Sequence, residues 1–309
     1  MRSAPLLCIL PLVALFACAR GHAAKPPEPQ RGAAPSPGAA AAASAGVFSS
    51  SSQRVDLEGL SESERAAFAQ IVNEEICPCG CPRSFSACLG EDTRCRPAIL
   101  LGTWLRDQLR EGVPGDVLAE MIAGEVGAFS SKPKDIAVAG YAAKGAPKPR
   151  FLIVEYADFE CAHCKAAAPV LERLAEKHPG SVRVVFKHFP LTFHTVAKRA
   201  AVAAEAAGKQ GRFWEMHDAI FATQNLLDDE LLLGHAKALG LDIDRFEKDW
   251  NDPATLAKVE QSRKEGETVG VEATPAIFVN GRPFQLPRTL EALELRLAME
   301  EARASSSCK

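Results

Sequence analysis

Between residues 151 and 186 the chain sets an order of elements that few folds accommodate. Phe151 to Tyr156 is a near-continuous apolar run, the pattern of a strand covered on both faces. Cys161-Ala162-His163-Cys164 follows. Lys165 to Lys177 then reads as a helix with Val170, Leu171 and Leu174 turned inward, and Val182 to Phe186 is a second apolar strand. Strand, helix and strand at this spacing form a parallel pair joined by a right-handed crossover. The two cysteines fall where the first strand gives way to the helix.

That position has a chemical consequence. The start of a helix carries unpaired backbone N–H groups and a partial positive charge. A thiolate held there is stabilised, so the thiol pKa falls. A positive charge on His163 would add to the effect. Cys161, at the helix start, is expected to be the exposed nucleophile. Cys164, one turn in, is expected to be the buried resolving thiol, and a substrate would exchange through a mixed disulfide on Cys161. A Cys-x-x-Cys alone also fits a zinc half-site or a structural disulfide. The strand before it and the helix after it favour exchange.

Two further features lie in the same region. Glu155 is an acid inside an otherwise apolar strand, six residues before Cys161. A buried acid needs a partner. Lys187, at the end of the second strand, is a candidate, and the pair would carry protons to and from Cys164. The other reading is a strand-end acid that reaches water. Thr274-Pro275 directly precedes the strand Ala276 to Val279, and a proline opening a strand is permissible by itself.

The remaining pattern completes a mixed sheet. Asp135 to Gly140 is a candidate first strand. Residues 195–267 show only helical patterns, Asn280-Gly281 is a hairpin turn leading into Arg282 to Phe284, and Leu290, Leu293 and Leu297 mark a last helix. Hydrophobic residues make up 47% of the 309 and charged residues 24%, enough for a sizeable core. The net charge of -3 comes from interspersed acids and bases. There is no basic stripe, so no nucleic-acid partner is expected.

Residues 135 to 303 resemble the DsbA family of bacterial disulfide oxidoreductases, including its BdbD-like branch. The resemblance is carried by Glu155 to Cys164 (EYADFECAHC), Phe186 to Leu191 (FKHFPL), Gln210 to Asp218 (QGRFWEMHD) and Gly270 to Pro275 (GVEATP). It implies a thioredoxin-like fold with an inserted helical domain. It places the active-site cysteines at Cys161 and Cys164, the dipeptide histidine at His163 and the buried acid at Glu155. It implies that Pro275 is cis and faces the cysteine pair, leaving the backbone of Thr274 free to pair with an extended substrate, and that Thr274 touches Cys161. The family commonly has Pro-His between the cysteines. Ala162 stands in the proline's place here, which leaves the redox potential open.

The rest of the chain points to export. Ala4 to Ala17 is an apolar run of signal-peptide length. Leu15-Phe16-Ala17-Cys18 resembles the lipobox of bacterial lipoproteins, with Cys18 as the lipidation residue, and ordinary cleavage near Ala17-Cys18-Ala19 is the rival. No second apolar run is long enough to cross a bilayer. Residues 19–53 are rich in Ala, Pro, Gly and Ser, a composition that does not order itself, and read as a tether.

Residues 54–130 read as a small Cys-rich helical unit, opened by a Ser61/Glu64 capping box. Its helices carry Phe68, Ile71, Val72 and Ile76, then Leu101, Trp104, Leu105 and Leu109, then Val117, Leu118, Met121 and Ile122. Cys77, Cys79, Cys81, Cys88 and Cys95 crowd into 19 residues of a chain with ten cysteines. Structural disulfides, a redox relay and a soft-metal site all fit them. The pattern weakly resembles the small domain of CcmH-type cytochrome c maturation proteins, but Cys77-Pro78-Cys79-Gly80-Cys81 is not Cys-x-x-Cys, and no catalytic role carries over. Cys308, in a Ser-rich tail at 304–309, is available to pair with the odd cysteine.

The sequence thus predicts an α/β protein with a thioredoxin-like domain over 131–303, preceded by a small all-α domain. The expected activity is thiol–disulfide exchange, as a dithiol oxidase, without a cofactor. The expected clients are exported proteins bearing thiols or disulfides, with recycling by an unidentified membrane redox partner. The expected place is the bacterial periplasm, with or without a lipid anchor on the outer membrane. Reduction or isomerisation linked to cytochrome c maturation or metal delivery, and a non-catalytic chaperone, are the alternatives.

Overall fold

A computed structural model describes residues 54–90, 94–303, 305 and 306. The signal-like segment, Cys18, the 19–53 tether and Cys308 lie outside the described residues.

The described residues begin with four helices: α1 (Glu62–Glu74), a single turn α2 (Phe85–Cys88), α3 (Arg96–Arg110) and α4 (Gly115–Ser130). Helix α1 starts where the sequence predicts, with Glu64 N–H donating to Ser61 Oγ and Ser61 N–H donating to the Glu64 carboxylate. Leu101, Trp104, Leu105 and Leu109 of α3 are buried, as their spacing requires. Ile76 is not: α1 ends at Glu74, and Ile76 is 57% exposed. It lies beyond the helix, where helical periodicity no longer fixes the direction of a side chain. Val117 is also exposed.

The sheet has strand order β1-β3-β2-β4-β5. Its strands are β1 (Ala143–Gly145), β2 (Phe151–Ala157), β3 (Val182–His188), β4 (Ala276–Val279) and β5 (Arg282–Pro283). β2 and β3 are parallel, and the other pairs are antiparallel. Helix α5 (Ala162–Lys177) makes the crossover. Asp135 to Gly140 is not the first strand. The chain turns at Gly140, where φ is 80°, and pairs only from Ala143, opposite Val185. Asn280 and Gly281 both have positive φ, 49° and 77°, the geometry of a two-residue hairpin turn. A side chain at position 281 would meet the Lys134 carbonyl oxygen at 2.5 Å.

Between β3 and β4 come five helices, α6 (Ala197–Gly208), α7 (Phe213–Ala222), α8 (Asp229–Ala238), α9 (Ile243–Trp250) and α10 (Pro253–Val269), with a 3₁₀ turn at Gln224–Leu226. This is the predicted helical insertion. Helix α10 covers one face of β3, α5 covers the other, and α11 (Leu290–Arg303) packs on α5 and α3.

The Cys-rich helices do not stand apart from the sheet. One continuous apolar cluster runs from Phe68, Leu101 and Phe129 to Ile153, Val184, Ile277 and Leu297. Within it the α4–α11 contact holds a fully buried ion pair, Arg296 Nη1 to Glu125 Oε1 at 2.5 Å. Burial pushes the Glu125 carboxyl pKa up, against the pull of Arg296. Removing one partner of such a pair strands a charge. Arg296→Met is therefore expected to cost about 3–5 kcal/mol of unfolding free energy, read by urea titration at neutral pH. A loss typical of an exposed pair, under about 1 kcal/mol, would show that apolar contact alone joins the two helices.

Candidate active site

The turn from β2 to α5 is tied from inside. Asp158 is buried. Its carboxylate accepts from Glu160 N–H at 2.6 Å, from Leu191 N–H at 2.6 Å and from His194 Nδ1 at 2.8 Å. Its backbone N–H points at Cys164 Sγ, 3.4 Å away. Glu160 accepts from the N–H groups of Val196 and Ala197 and so fixes the start of α6. From the insertion, Gln224 Nε2 donates to the carbonyls of Phe159 and Cys161 at 2.7 and 2.9 Å. The strand-to-helix turn is thereby pinned by groups that arrive from three other parts of the chain.

Cys161 is the N-cap residue of α5, and Cys164 is its third residue. Both are free thiols. Cys164 is fully buried. Cys161 is 8% exposed, less than a helix start suggests, because the segment before β4 lies over it. Its thiol donates to the Thr274 carbonyl at 3.4 Å, and the Thr274–Pro275 peptide bond is cis. Arg288 anchors that segment by donating to the Pro275 carbonyl at 3.1 Å. β4 pairs with β2 as far as Ala276 opposite Tyr156. That register carries the preceding Thr274 and Pro275 to the level of the cysteines.

The two sulfurs are driven apart in acidity. Cys161 falls from the ordinary thiol value of 9.0 to about 5. The Cys164 thiol lowers it most. Thr274 and the backbone N–H groups of Cys164 and His163 add to the effect, against the cost of burial. Thr274 Oγ1 has no other partner, so it is available to donate to an ionised Cys161. Burial raises Cys164 far above the ordinary range, and Cys161 and Glu155 push the same way. The imidazole of His163 is exposed; what it brings to the sulfur is its backbone N–H.

Glu155 lies on the cysteine side of the sheet, 3% exposed, with Oε1 unpaired. Burial raises it to about 8, and the charges of Lys144 and Arg288 oppose that rise. The expected partner, Lys187, is not there. Glu155 sits opposite Phe186 and Tyr156 opposite Lys187. Side chains alternate across a strand, so Lys187 projects from the opposite face. There its ammonium binds Glu265 of α10, donates to the Ala137 carbonyl at 2.7 Å and lies 4.1 Å over the Tyr141 ring. Lys187 is a buried cation with its own counter-ion and takes no part in the thiol site.

Sequence reasoning missed Asp158, Gln224, Lys144 and Arg288. The contact of Asp158 with the N–H two residues on is an Asx-turn, a local signal that was available. Gln224 acts 63 residues from Cys161, and nothing near it in the sequence marks it. A cleft of about 270 Å³ runs beside Pro275, lined by Val271, Ala276, Phe278, Phe284 and Arg288 among others. A larger one, about 430 Å³, lies around Arg199 and Trp250 and contains no thiol. In the Cys-rich segment the sulfurs pair as Cys77–Cys88 and Cys79–Cys95.

A mixed sheet of this order, a crossover helix opened by two thiols of opposed acidity and a cis-proline against the first of them define a thioredoxin-fold dithiol protein. Residues 139–297, half of the chain, match the family model described as Thioredoxin, and the chain belongs to that family. Solved structures similar to it are DsbA-like. They include BdbD of Bacillus subtilis (20% identity, 56% of this chain and 97% of that one, TM-score 0.47). Others are alpha-DsbA1 of Wolbachia pipientis (22%, 55% and 96%, 0.48) and DsbA2 of Pseudomonas aeruginosa (31%, 50% and 88%, 0.40). Curated relatives include the Na(+)/H(+) antiporters NhaA 3 of Salinispora tropica, 44% identical over 142 residues, and NhaA of Herminiimonas arsenicoxydans, 36% over 160. The chain spans only 22% and 25% of their lengths, and the matches cover 46% and 52% of this chain. Among the described residues no helix is long and apolar enough to cross a membrane.

Two outcomes are expected of this geometry. The ionised Cys161 exists only in the reduced protein. Its pKa, lowered from 9.0 to about 5, stabilises the reduced fold fully above the higher value, and that contribution is lost as pH falls through the lower one. The melting temperature of the reduced form relative to the oxidised form should therefore drop steadily as pH falls across that window; a constant difference would mean that Cys161 titrates as an ordinary thiol. Thr274→Val should raise the Cys161 pKa by about one to two units, the worth of one hydrogen bond to a charged group. The pH dependence of Cys161 alkylation measures it.

Proposed function

We propose that this protein is an exported dithiol oxidase that transfers the Cys161–Cys164 disulfide to extracytoplasmic proteins. The observation that carries the reading is the placement of two free thiols one helical turn apart at the start of α5, Cys161 against the Thr274 carbonyl and Cys164 fully buried. In the oxidised protein a client thiolate attacks Cys161 Sγ, the Cys161–Cys164 bond breaks, and Cys164 leaves as a thiolate. Cys164 is the more basic sulfur and takes up a proton. Glu155, neutral below a pKa of about 8 and electrostatically coupled to both sulfurs, is the proton donor. A second client thiolate then attacks the client sulfur of the mixed disulfide. Cys161 leaves readily, because its conjugate acid is strong. The client gains a disulfide, and the protein is left with one thiolate and one thiol.

A client of protein size suits the surroundings. Phe193 and Leu226 are 73% and 71% exposed. They stand on the two segments that bind the active-site turn, next to His194 and two residues from Gln224. The backbone of Thr274 and the cleft beside Pro275 are suited to an extended peptide. The apolar N-terminus, the lipobox-like segment ending at Cys18 and the disulfides of the first helices support export to the periplasm, where such bonds persist. Reoxidation of the cysteine pair requires a membrane redox partner. No step requires a cofactor.

Equilibration of the Cys161–Cys164 pair with glutathione tests the direction. A depressed Cys161 pKa stabilises the reduced form, so the potential should lie well above the thioredoxin value of about -270 mV. A value at or below it would make the protein a reductase.

A further inference from the structure

The Cys-rich turn holds more than two isolated crosslinks. Cys77 Sγ, bonded to Cys88, lies 3.6 Å from Cys95 Sγ, which is bonded to Cys79. The sulfurs of Cys77, Cys79 and Cys95 all lie within 4.8 Å of one another, and so do those of Cys77, Cys81 and Cys88. Cys77 is thus common to both groups. Disulfides that serve only as struts have no need of this proximity.

Access to the cluster is one-sided. Cys77, Cys88 and Cys95 are 0%, 1% and 1% exposed, whereas Cys79 is half-buried. Beside it Gly80 has φ 74°, and a side chain built on it would meet nothing within 4 Å, so the tip of the turn is open. The exposed Ile76 precedes Cys77 and offers an apolar contact to a visiting protein. The partner sulfur of Cys79 is also chemically placed. Cys95 is the N-cap of the 15-residue helix α3, and no side chain caps that end. A thiolate released there is stabilised by the helix start.

We propose that this cluster is a second thiol–disulfide exchange centre, entered at Cys79 by a protein dithiol and relayed inward by Cys95. One thiolate of the dithiol attacks Cys79 Sγ and breaks Cys79–Cys95, releasing Cys95 as a thiolate. The second thiol of the dithiol resolves the mixed disulfide and frees Cys79, so the dithiol leaves oxidised by two electrons. The Cys95 thiolate attacks Cys77 Sγ across the 3.6 Å contact, forms Cys77–Cys95 and expels Cys88. The two protons given up by the dithiol end on Cys79 and Cys88. Among these four sulfurs the product pairs Cys77 with Cys95, a link absent from the resting protein. This centre does not depend on Cys161 or Cys164.

The test uses the full chain carrying Cys161→Ser and Cys164→Ser, so that only the cluster responds. One equivalent of dithiothreitol is added without oxygen, the native protein is acid-quenched and alkylated, and disulfide-linked peptides are mapped. The expected result is alkylation of Cys79 and Cys88 with a Cys77–Cys95 link in place of the two resting pairs. The unaltered chain with two equivalents should give the same link. Adding Cys79→Ser and Cys95→Ser together should leave Cys88 unlabelled, because the entry sulfur and the relay are both gone. Alkylation of Cys79 and Cys95 with no Cys77–Cys95 link would overturn the proposal. So would native pairs that open only in denaturant, or labelling of Cys88 in the chain that also carries Cys79→Ser and Cys95→Ser.

Discussion

A buried carboxylate organises the thiol site. Asp158 spends both of its oxygens on the turn between β2 and α5 and on the loop after β3. Burying an ionised acid is costly unless its lone pairs are used, and each hydrogen bond to a charged group returns about 1.5–3 kcal/mol. With three such bonds the acid is stable where it sits, and the loops it holds are not free to drift. That rigidity fixes the Asp158 N–H on Cys164 and keeps Cys161 at the mouth of α5. Gln224 performs the matching task from the helical insertion.

The electrostatics follow from this fixed turn. One sulfur faces the thiol of the other, the Thr274 hydroxyl and the helix N–H groups, and the other lies a turn deeper in apolar surroundings. The same chemical group therefore has a lowered pKa at position 161 and a raised one at 164. Glu155 belongs to the same logic. It is buried on the cysteine side with an unused oxygen, and burial keeps it protonated to about pH 8.

Much of this was legible before any coordinates. Strand, Cys-x-x-Cys, helix and strand were readable because apolar periodicity is local, and so were the Ser61 cap and the Asn280-Gly281 turn. Three readings failed for one common reason. Glu155 and Lys187 are close in the sheet but face opposite ways, because the parallel register sets Phe186, not Lys187, opposite Glu155. Ile76 left its helical face because α1 had already ended. The first strand came late because the chain turns at Gly140 before it pairs. Each depends on a register or an endpoint, and apolar spacing specifies neither.

The sequence by itself determined the class of fold and the position of the Cys161–Cys164 pair between a strand and a helix. Those depend on the order of short segments and on residue types a few positions apart, which a chain carries however it is packed. Tertiary structure alone decided what surrounds the pair. Thr274 reaches Cys161 across 113 positions and Gln224 across 63, Arg296 meets Glu125 across 171, and the sulfur of Cys77 meets that of Cys95 across 18. Contacts of this kind arise from strand register and helix packing, where many weak apolar contacts settle together, and no local pattern encodes them.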